Sequence, residues 1–332
     1  VPDGVVGMPP LYVMEDARDV EALWTYVSLV EGWLFLKAHG VEDPGEITAY
    51  WSDTSSDGPR YDPEKRAIYL RDADAGYGDV VVQHEAYALL HNAYGVLPES
   101  WAACTAGPLE GMKDTSTAAS PAACAFVQAF ATFYPLAVYE HTEFDSFSLR
   151  GIDFDKQTPT TSGWASGDAV SGRIVGALWD LYEADGTEEQ YDKFNATFDD
   201  IWAVVQDRHP TTLAEWWQGW VAMGKDACGA VGSLYQNAID YNRPPTVSPI
   251  PDLELAEDTS ATLDLYAYVQ DLECGDKGLS LALTNAGDTK AGVILEPTGV
   301  ISVTPEANWF GRTTVRATVS DGPSTVPFSF QV

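Results

Sequence analysis

Basic residues are scarce in this sequence. Eighteen lysines and arginines face 50 aspartates and glutamates, which gives a formal net charge of -32. A surface this negative repels nucleic acid phosphates and anionic lipid headgroups. The composition therefore excludes nucleic acid partners and membrane insertion. It favours a protein that stays soluble at high salt or binds cations. Separately, we expect its partners to be copies of itself or other surface proteins.

Long apolar runs are also missing. No segment approaches the roughly 20 apolar residues of a membrane helix, and the chain opens at Val1 without a charged region followed by an apolar one. Such a start predicts either a cytosolic protein or an exported one whose leader has been removed.

Cysteine is infrequent, and no C-x-x-C pair is present, which argues against a zinc ribbon. An even number of cysteines in an acidic chain favours disulfides and an oxidising compartment, with four buried free thiols as the alternative. We therefore expect a secreted, extracellular or cell-surface protein. The cysteines are Cys104, Cys124, Cys228 and Cys274.

What is present is helical periodicity, interrupted by one short strand region over residues 46–71. The predicted helices span residues 11–40, 79–94, 122–140, 168–184, 188–206 and 211–223. This pattern predicts an α+β fold, mostly helical with a small sheet, over residues 1–242. Residues 1–12 have no helical period and are expected to be an extended N-terminal segment.

The sequence pattern changes after Tyr241, from helical periodicity to a proline-rich segment followed by short alternating segments. Residues 243–251 are rich in proline and predict a stiff linker. Residues 252–332 alternate short apolar segments with Gly, Asn and Asp turns, which predicts an all-β sandwich.

His84-Glu85 on the second predicted helix is the candidate catalytic pair. Zinc peptidases carry H-E-x-x-H on a helix, with two imidazoles one turn apart and a glutamate that activates water. Here Ala88 stands at the position of the second imidazole. His91 lies on the same face but about 10.5 Å further along the axis, too far to share an ion with His84.

Four segments extend this local pattern in order along the chain. They are Asp79-Val80-Val81-Val82-Gln83-His84-Glu85, Cys124 to Phe133, Gly172 to Tyr182 (GRIVGALWDLY) and Thr212-Leu213-Ala214-Glu215-Trp216-Trp217. Over roughly residues 15–225 the chain resembles secreted bacterial and archaeal zinc metallopeptidases of the gluzincin type. The resemblance implies a zincin-like fold.

The residues that differ from the family pattern are those at its zinc-binding positions. The resemblance places the third zinc ligand, a glutamate, at Gln128, so Ala88 and Gln128 would remove two of three ligands. Of the expected site, His84 and Glu85 would remain. An engineered inactive variant usually has its catalytic glutamate replaced, and here that glutamate is intact. We therefore favour a natural loss of the two zinc ligands. The expectation is a pseudoenzyme without zinc. The resemblance also places cysteines at both ends of the loop between the site helices, which implies a Cys104–Cys124 bridge and leaves Cys228 and Cys274 to pair across the linker.

The C-terminal segment resembles cadherin-like or Ig-like sandwiches of microbial surface proteins. The matching segments are residues 255–259, 268–271, 279–281, 304–311 and 319–322. Such domains often hold calcium, and Asp271, Glu273 and Asp276 are the candidate ligands here. A solvated acidic loop is the alternative, and no other cofactor is expected.

Three functions remain open from the sequence. The first is a non-catalytic structural or adhesive surface protein, which could build a filament or surface layer if residues 1–10 add as a strand to a neighbour's sandwich edge. The second is an active secreted zinc metallopeptidase with an atypical site. The third is a peptide- or glycan-binding module that uses the old cleft.

Asn195 begins a glycosylation sequon, and Trp216, Trp217 and Trp220 belong either to a sugar-stacking surface or, as we favour, to the core.

Overall fold

The computed structural model describes residues 19–52, 59–98, 101–104, 116–145, 152–183, 189–275 and 278–332. The predicted N-terminal segment 1–12 and the calcium candidate Asp276 lie outside these ranges. The predicted fold class is confirmed: a mostly helical domain with a small sheet precedes an all-β domain.

The large domain is built around one apolar helix. In chain order the helices are α1 (Asp19–Ala38), α2 (Gly78–Tyr94), α3 (Trp101–Cys104), α4 (Ala122–Tyr139), α5 (Ser171–Tyr182), α6 (Phe198–Arg208), α7 (Leu213–Ala222) and α8 (Ala227–Gln236). Helix α4 is almost entirely apolar, as expected of a core helix, and α2 and α5 pack on it. By length and composition α4 is able to cross a membrane, yet 72% of it is buried inside the protein.

Two helix predictions needed correction. The helix predicted over 188–206 begins only at Phe198, because Thr197 and Asp200 form a reciprocal capping box that fixes its start. Helix α8 was not predicted, since its sequence ACGAVGSLYQ carries two glycines, which disfavour a helix interior. Asp226 caps it by accepting from the Gly229 amide.

A three-stranded sheet lies before α2. Its strands are β1 (Thr48–Ser52), β2 (Arg60–Asp62) and β3 (Ala67–Arg71), in the order β1-β3-β2. The central strand β3 pairs parallel with β1 and antiparallel with β2. Helix α2 follows and ends at Gly95, whose φ of 67° is the left-handed conformation that glycine adopts at little cost.

The C-terminal domain has alternating strands, as predicted. They are β4 (Thr246–Val247), β5 (Ala261–Asp264), β6 (Val269–Gln270), β7 (Ser280–Asn285), β8 (Val293–Leu295), β9 (Val300–Val303), β10 (Thr314–Ser320) and β11 (Thr325–Gln331). They form sheets ordered β11-β10-β7, β5-β9-β8 and β4-β6. Strand β4 lies within the proline-rich segment 243–251, so part of that segment pairs with the sandwich.

Two disulfides fasten the structure. Cys104–Cys124 joins α3 to α4, and Cys228–Cys274 joins α8 to the sandwich. Beside the second bridge, the Asn242 amide donates to Asp321 Oδ2 and to Ser324 Oγ, both at 3.0 Å. The disulfide joins the two domains covalently, and the Asn242 bonds fasten the start of the proline-rich segment to the sandwich.

We expect the double substitution Cys228→Ser/Cys274→Ser to loosen the domain junction. Cysteines separated by 46 positions make a bridge worth about 4 kcal/mol in the chain-entropy model. Limited proteolysis should cut the variant within 243–251 much faster than the wild type. The pair Cys104→Ser/Cys124→Ser is the control and should leave that cleavage rate unchanged; equal rates in all three proteins would contradict the prediction.

Candidate functional site

Helix α2 carries the sequence-predicted pair on two different sides. His84 is buried, and its Nδ1 contacts the Val80 carbonyl at 2.7 Å. Its ring meets Tyr87 edge-on at 5.6 Å between centroids, and Tyr87 in turn meets Trp101 of α3 at 5.0 Å. Desolvation lowers the pKa of His84, so the neutral imidazole is favoured.

Glu85 faces the other way, into the contact between α2 and α1. It is fully buried, and neither carboxylate oxygen has a hydrogen-bond partner. A Cβ built on Gly32 of α1 would lie 2.1 Å from Glu85 Oε2, so the helix backbone closes directly over the carboxylate. Nearby, the Tyr134 hydroxyl donates to the Gly32 carbonyl at 2.6 Å rather than to Glu85.

This enclosure has an electrostatic consequence. Desolvation raises the pKa of Glu85 well above its ordinary value of 4.5. The Glu85 side chain is 0% exposed, so its carboxyl does not face bulk solvent in this arrangement. In this arrangement Glu85 is a buried acid in a helix–helix contact.

Gln128 and Ala88 stand where the sequence resemblance led us to expect the other two ligands. Ala88 is buried and offers only a methyl group. Gln128 donates through Nε2 to the Cys104 carbonyl at 3.1 Å, and its Oε1 is buried without a donor. The short helix α3 thus contacts α2 through Trp101, which meets Tyr87, and α4 through the Cys104 carbonyl, which accepts from Gln128.

His91 belongs to a separate hydrogen-bond group. Its Nδ1 lies 3.0 Å from the Tyr61 hydroxyl, which also contacts Asn92 at 3.0 Å. This group ties α2 to β2. Within the described ranges, no three His, Cys, Asp or Glu side chains are grouped so as to hold a metal ion.

The calcium candidates in the sandwich lie near the domain junction. Asp271 Oδ1 accepts from the Glu273 and Cys274 amides at 2.8 and 2.7 Å, while its Oδ2 is buried without a donor. Desolvation and the Asp271 charge raise the pKa of Glu273. This loop is bound largely by its own backbone.

The remaining candidates separate into surface and core. Asn195 is exposed just before α6. Trp216 and Trp220 are buried with ring centroids 5.1 Å apart, so they belong to the core, while Trp217 stacks on Tyr241 at 5.9 Å.

Sequence reasoning missed one group of acids in the large domain. Asp180 belongs to the Leu-Trp-Asp-Leu-Tyr segment, yet it is buried on α5 beside other carboxylates. An aspartate on the apolar side of a predicted helix was the available signal.

Replacing Glu85 with methionine should stabilise the protein at alkaline pH. Because the folded-state pKa of Glu85 is raised, its contribution to stability is complete below about pH 4.5 and is lost as pH rises toward the folded-state pKa. Methionine, of similar length, carries no ionisable group. The gain in melting temperature should therefore be larger at pH 8 than at pH 4, as measured by thermal unfolding.

Glu46→Met, at an exposed position, is the matched control and should leave the pH dependence unchanged. A Glu85→Met variant with wild-type pH dependence would show that Glu85 ionises freely in the folded protein.

Comparison with known protein families identifies the family of each domain. The family described as the mycolysin C-terminal domain matches residues 34–238, and the cadherin-like domain family matches residues 241–332. No curated protein and no solved structure gave a significant match. The resemblances drawn from the sequence, a metallopeptidase-related domain followed by a cadherin-like domain, are confirmed. Since the first match covers more than half of the 332 residues, the chain belongs to the mycolysin C-terminal domain family and continues into a cadherin-like domain.

Proposed function

We propose that this protein is a non-catalytic structural or adhesive protein of the cell surface or extracellular space. In this proposal its mycolysin-type domain has lost zinc chemistry and acts as a rigid block. The observation that carries the proposal is Glu85: the residue expected to activate water is fully buried beneath α1 and has no partner. The two disulfides and the cadherin-like domain support an extracellular location.

The neighbouring positions support the same proposal. Ala88 has no metal-binding atom, and Gln128 uses its amide on a backbone carbonyl. A neutral amide is a poor zinc ligand beside a carboxylate. A single imidazole, His84, does not provide a catalytic zinc site, which normally has three protein ligands.

Helix α1 supports association with a partner, because it carries apolar side chains on its exposed side as well as on its buried side. Its buried positions include Leu36 together with Thr25, Ser28 and Gly32. Its opposite side exposes an apolar stripe at helical spacing. The α1 stripe comprises Val20 (52% exposed), Leu23 (41%), Trp24 (60%), Val27 (37%) and Leu34 (52%).

An exposed apolar stripe of this kind marks an interaction surface. We infer that the α1 stripe contacts another copy of the chain or another surface protein. A contact between unlike surfaces of identical chains builds a filament or layer when the rotation between successive copies does not close into a ring. Residues 1–10, which offer a second route to such assembly, lie outside the described residues.

The loss of zinc chemistry is tested by metal content. We expect the purified protein to carry no stoichiometric zinc by elemental analysis and to release no peptides from casein. The double substitution Ala88→His/Gln128→Glu restores the expected ligand types, so it should bind more zinc than the wild type. One zinc per wild-type chain, lost on His84→Ala, would mean that an atypical active site exists.

Association is tested on the α1 stripe. Trp24→Glu places a charge at the centre of the stripe, so any oligomer seen by light scattering at high concentration should dissociate. Leu272→Glu, at a residue 67% exposed in the sandwich, is the matched control and should leave the oligomer intact. A wild-type protein that stays monomeric at high concentration would contradict the association proposal and leave the zinc proposal standing.

A further inference from the structure

A groove of about 370 Å³ opens on the surface of the sandwich, with walls from residues 252–257 and 309–312. Its apolar lining comes from Leu253, Leu255, Trp309 and Phe310, and it is called here the sandwich groove. The Phe310 side chain is 86% exposed. An aromatic ring this open to water, continuous with an apolar groove, marks a surface that binds a partner.

Carboxylates border the sandwich groove. Asp252, Glu254 and Glu257 line it and are exposed. Arg312 lies 3.8 Å from Asp252, whereas Glu254 and Glu257 have no ion-pair partner within the part of the chain that the structure describes. Cations are attracted both by these carboxylates and by the faces of the neighbouring aromatic rings. The groove therefore suits a partner that presents positive charge.

The turn between β2 and β3 carries charge of the opposite sign. The two strands pair antiparallel as far as Asp62 and Ala67, so residues 63–66 form the turn. Lys65 and Arg66 are adjacent and exposed at its end, in a chain whose net charge is -32. This turn is called here the basic tip. It presents the cations that the sandwich groove favours.

Contacts within the basic tip fix its shape. Asp62 Oδ1 accepts from the Glu64 and Lys65 amides, both at 3.1 Å. Arg66 adopts a φ of 51°, the left-handed conformation that reverses the chain. Lys65 Nζ lies 3.8 Å from Asp62 Oδ2 and its side chain is 64% exposed, so this ion pair is solvated and weak. A turn held in this way loses little conformational freedom when it binds.

We propose that the basic tip of one copy of the chain docks in the sandwich groove of the next. Lys65 and Arg66 then meet Glu254 and Glu257, and the aromatic side of the groove offers ring faces to the same cations. The inference rests on the proposed function as a self-associating surface protein, and it names a contact that would order the copies.

Two observations favour a second copy as the occupant. The sandwich groove is lined by residues of the sandwich alone, so the basic tip of the same chain does not fill it. The charges also match in both signs, because Glu64 of the basic tip has a counterpart in Arg312 of the groove. Complementary charges of this kind fix the register of a contact.

The contact has a direction. The basic tip and the sandwich groove are unlike surfaces, so copies joined through them follow one another head to tail, and the row stays open unless the rotation closes a ring. The α1 stripe is a separate surface on the same copy. Two contacts on one copy reinforce each other through effective concentration, so the loss of either should dissociate the assembly.

Charge reversal in the full chain tests the contact. Lys65→Glu/Arg66→Glu reverses the basic tip, and Glu254→Lys/Glu257→Lys reverses the groove. Each variant should be monomeric by light scattering at a concentration where the wild type associates. All four substitutions together place opposite charges face to face again and should restore the oligomer.

Lys290→Glu/Arg316→Glu, at exposed sandwich positions outside the groove, is the matched control and should associate as the wild type does. An oligomer that survives reversal of the tip or of the groove, or a failure of the four substitutions to restore it, would overturn this contact and leave association through the α1 stripe standing. A wild type that is monomeric at high concentration would overturn both.

Cross-linking of the wild type provides a second test that needs no variant. Isotopically labelled and unlabelled protein are mixed and coupled with a carbodiimide, which joins a lysine amine to a carboxyl group at contact distance. Mass spectrometry should find an amide between Lys65 of one copy and Glu254 or Glu257 of the other. Cross-links of Lys65 that lie within one copy, or that avoid both glutamates, would overturn the proposal.

Discussion

The burial of α2 between α1 and α4 is the constraint on which the large domain depends. A helix covered on most sides must satisfy its polar side chains from the protein, because water is absent. Gln83 does so by donating to Thr132 on α4 at 2.8 Å, and His84 does so with a carbonyl one turn earlier. Glu85 does not, and desolvation raises the pKa of its carboxyl, which favours the neutral form over the charged one.

The close approach of α1 follows from the same constraint. Only a residue without a Cβ permits the α1 backbone to lie against Glu85, and Gly32 supplies it. The glycine brings the helices together and at the same time removes Glu85 from solvent. The close contact between α1 and α2 therefore also covers the carboxylate that the sequence pattern marks as a general base.

Much of this architecture could be predicted from particular residues. Gly95 and the apolar run before His84 define α2, and the strand alternation after Tyr241 defines the sandwich. Helix α8 escaped prediction because tertiary packing, not propensity, makes it helical: Gly229 and Gly232 meet the Phe194 ring and the Tyr191 carbonyl closely. The enclosure of Glu85 and the grouping of Asp180 with Asp192 arise from contacts between segments distant in sequence, which periodicity does not report.

The bridge between Cys228 and Cys274 has a mechanical consequence for a protein of this layout. Tension applied between the large domain and the sandwich follows the shortest covalent path. That path runs from α8 through the sulfur–sulfur bond into the loop after β6 and bypasses residues 229–273. The proline-rich segment then carries no load while the bridge is intact, and reduction of one bond transfers the whole tension to it.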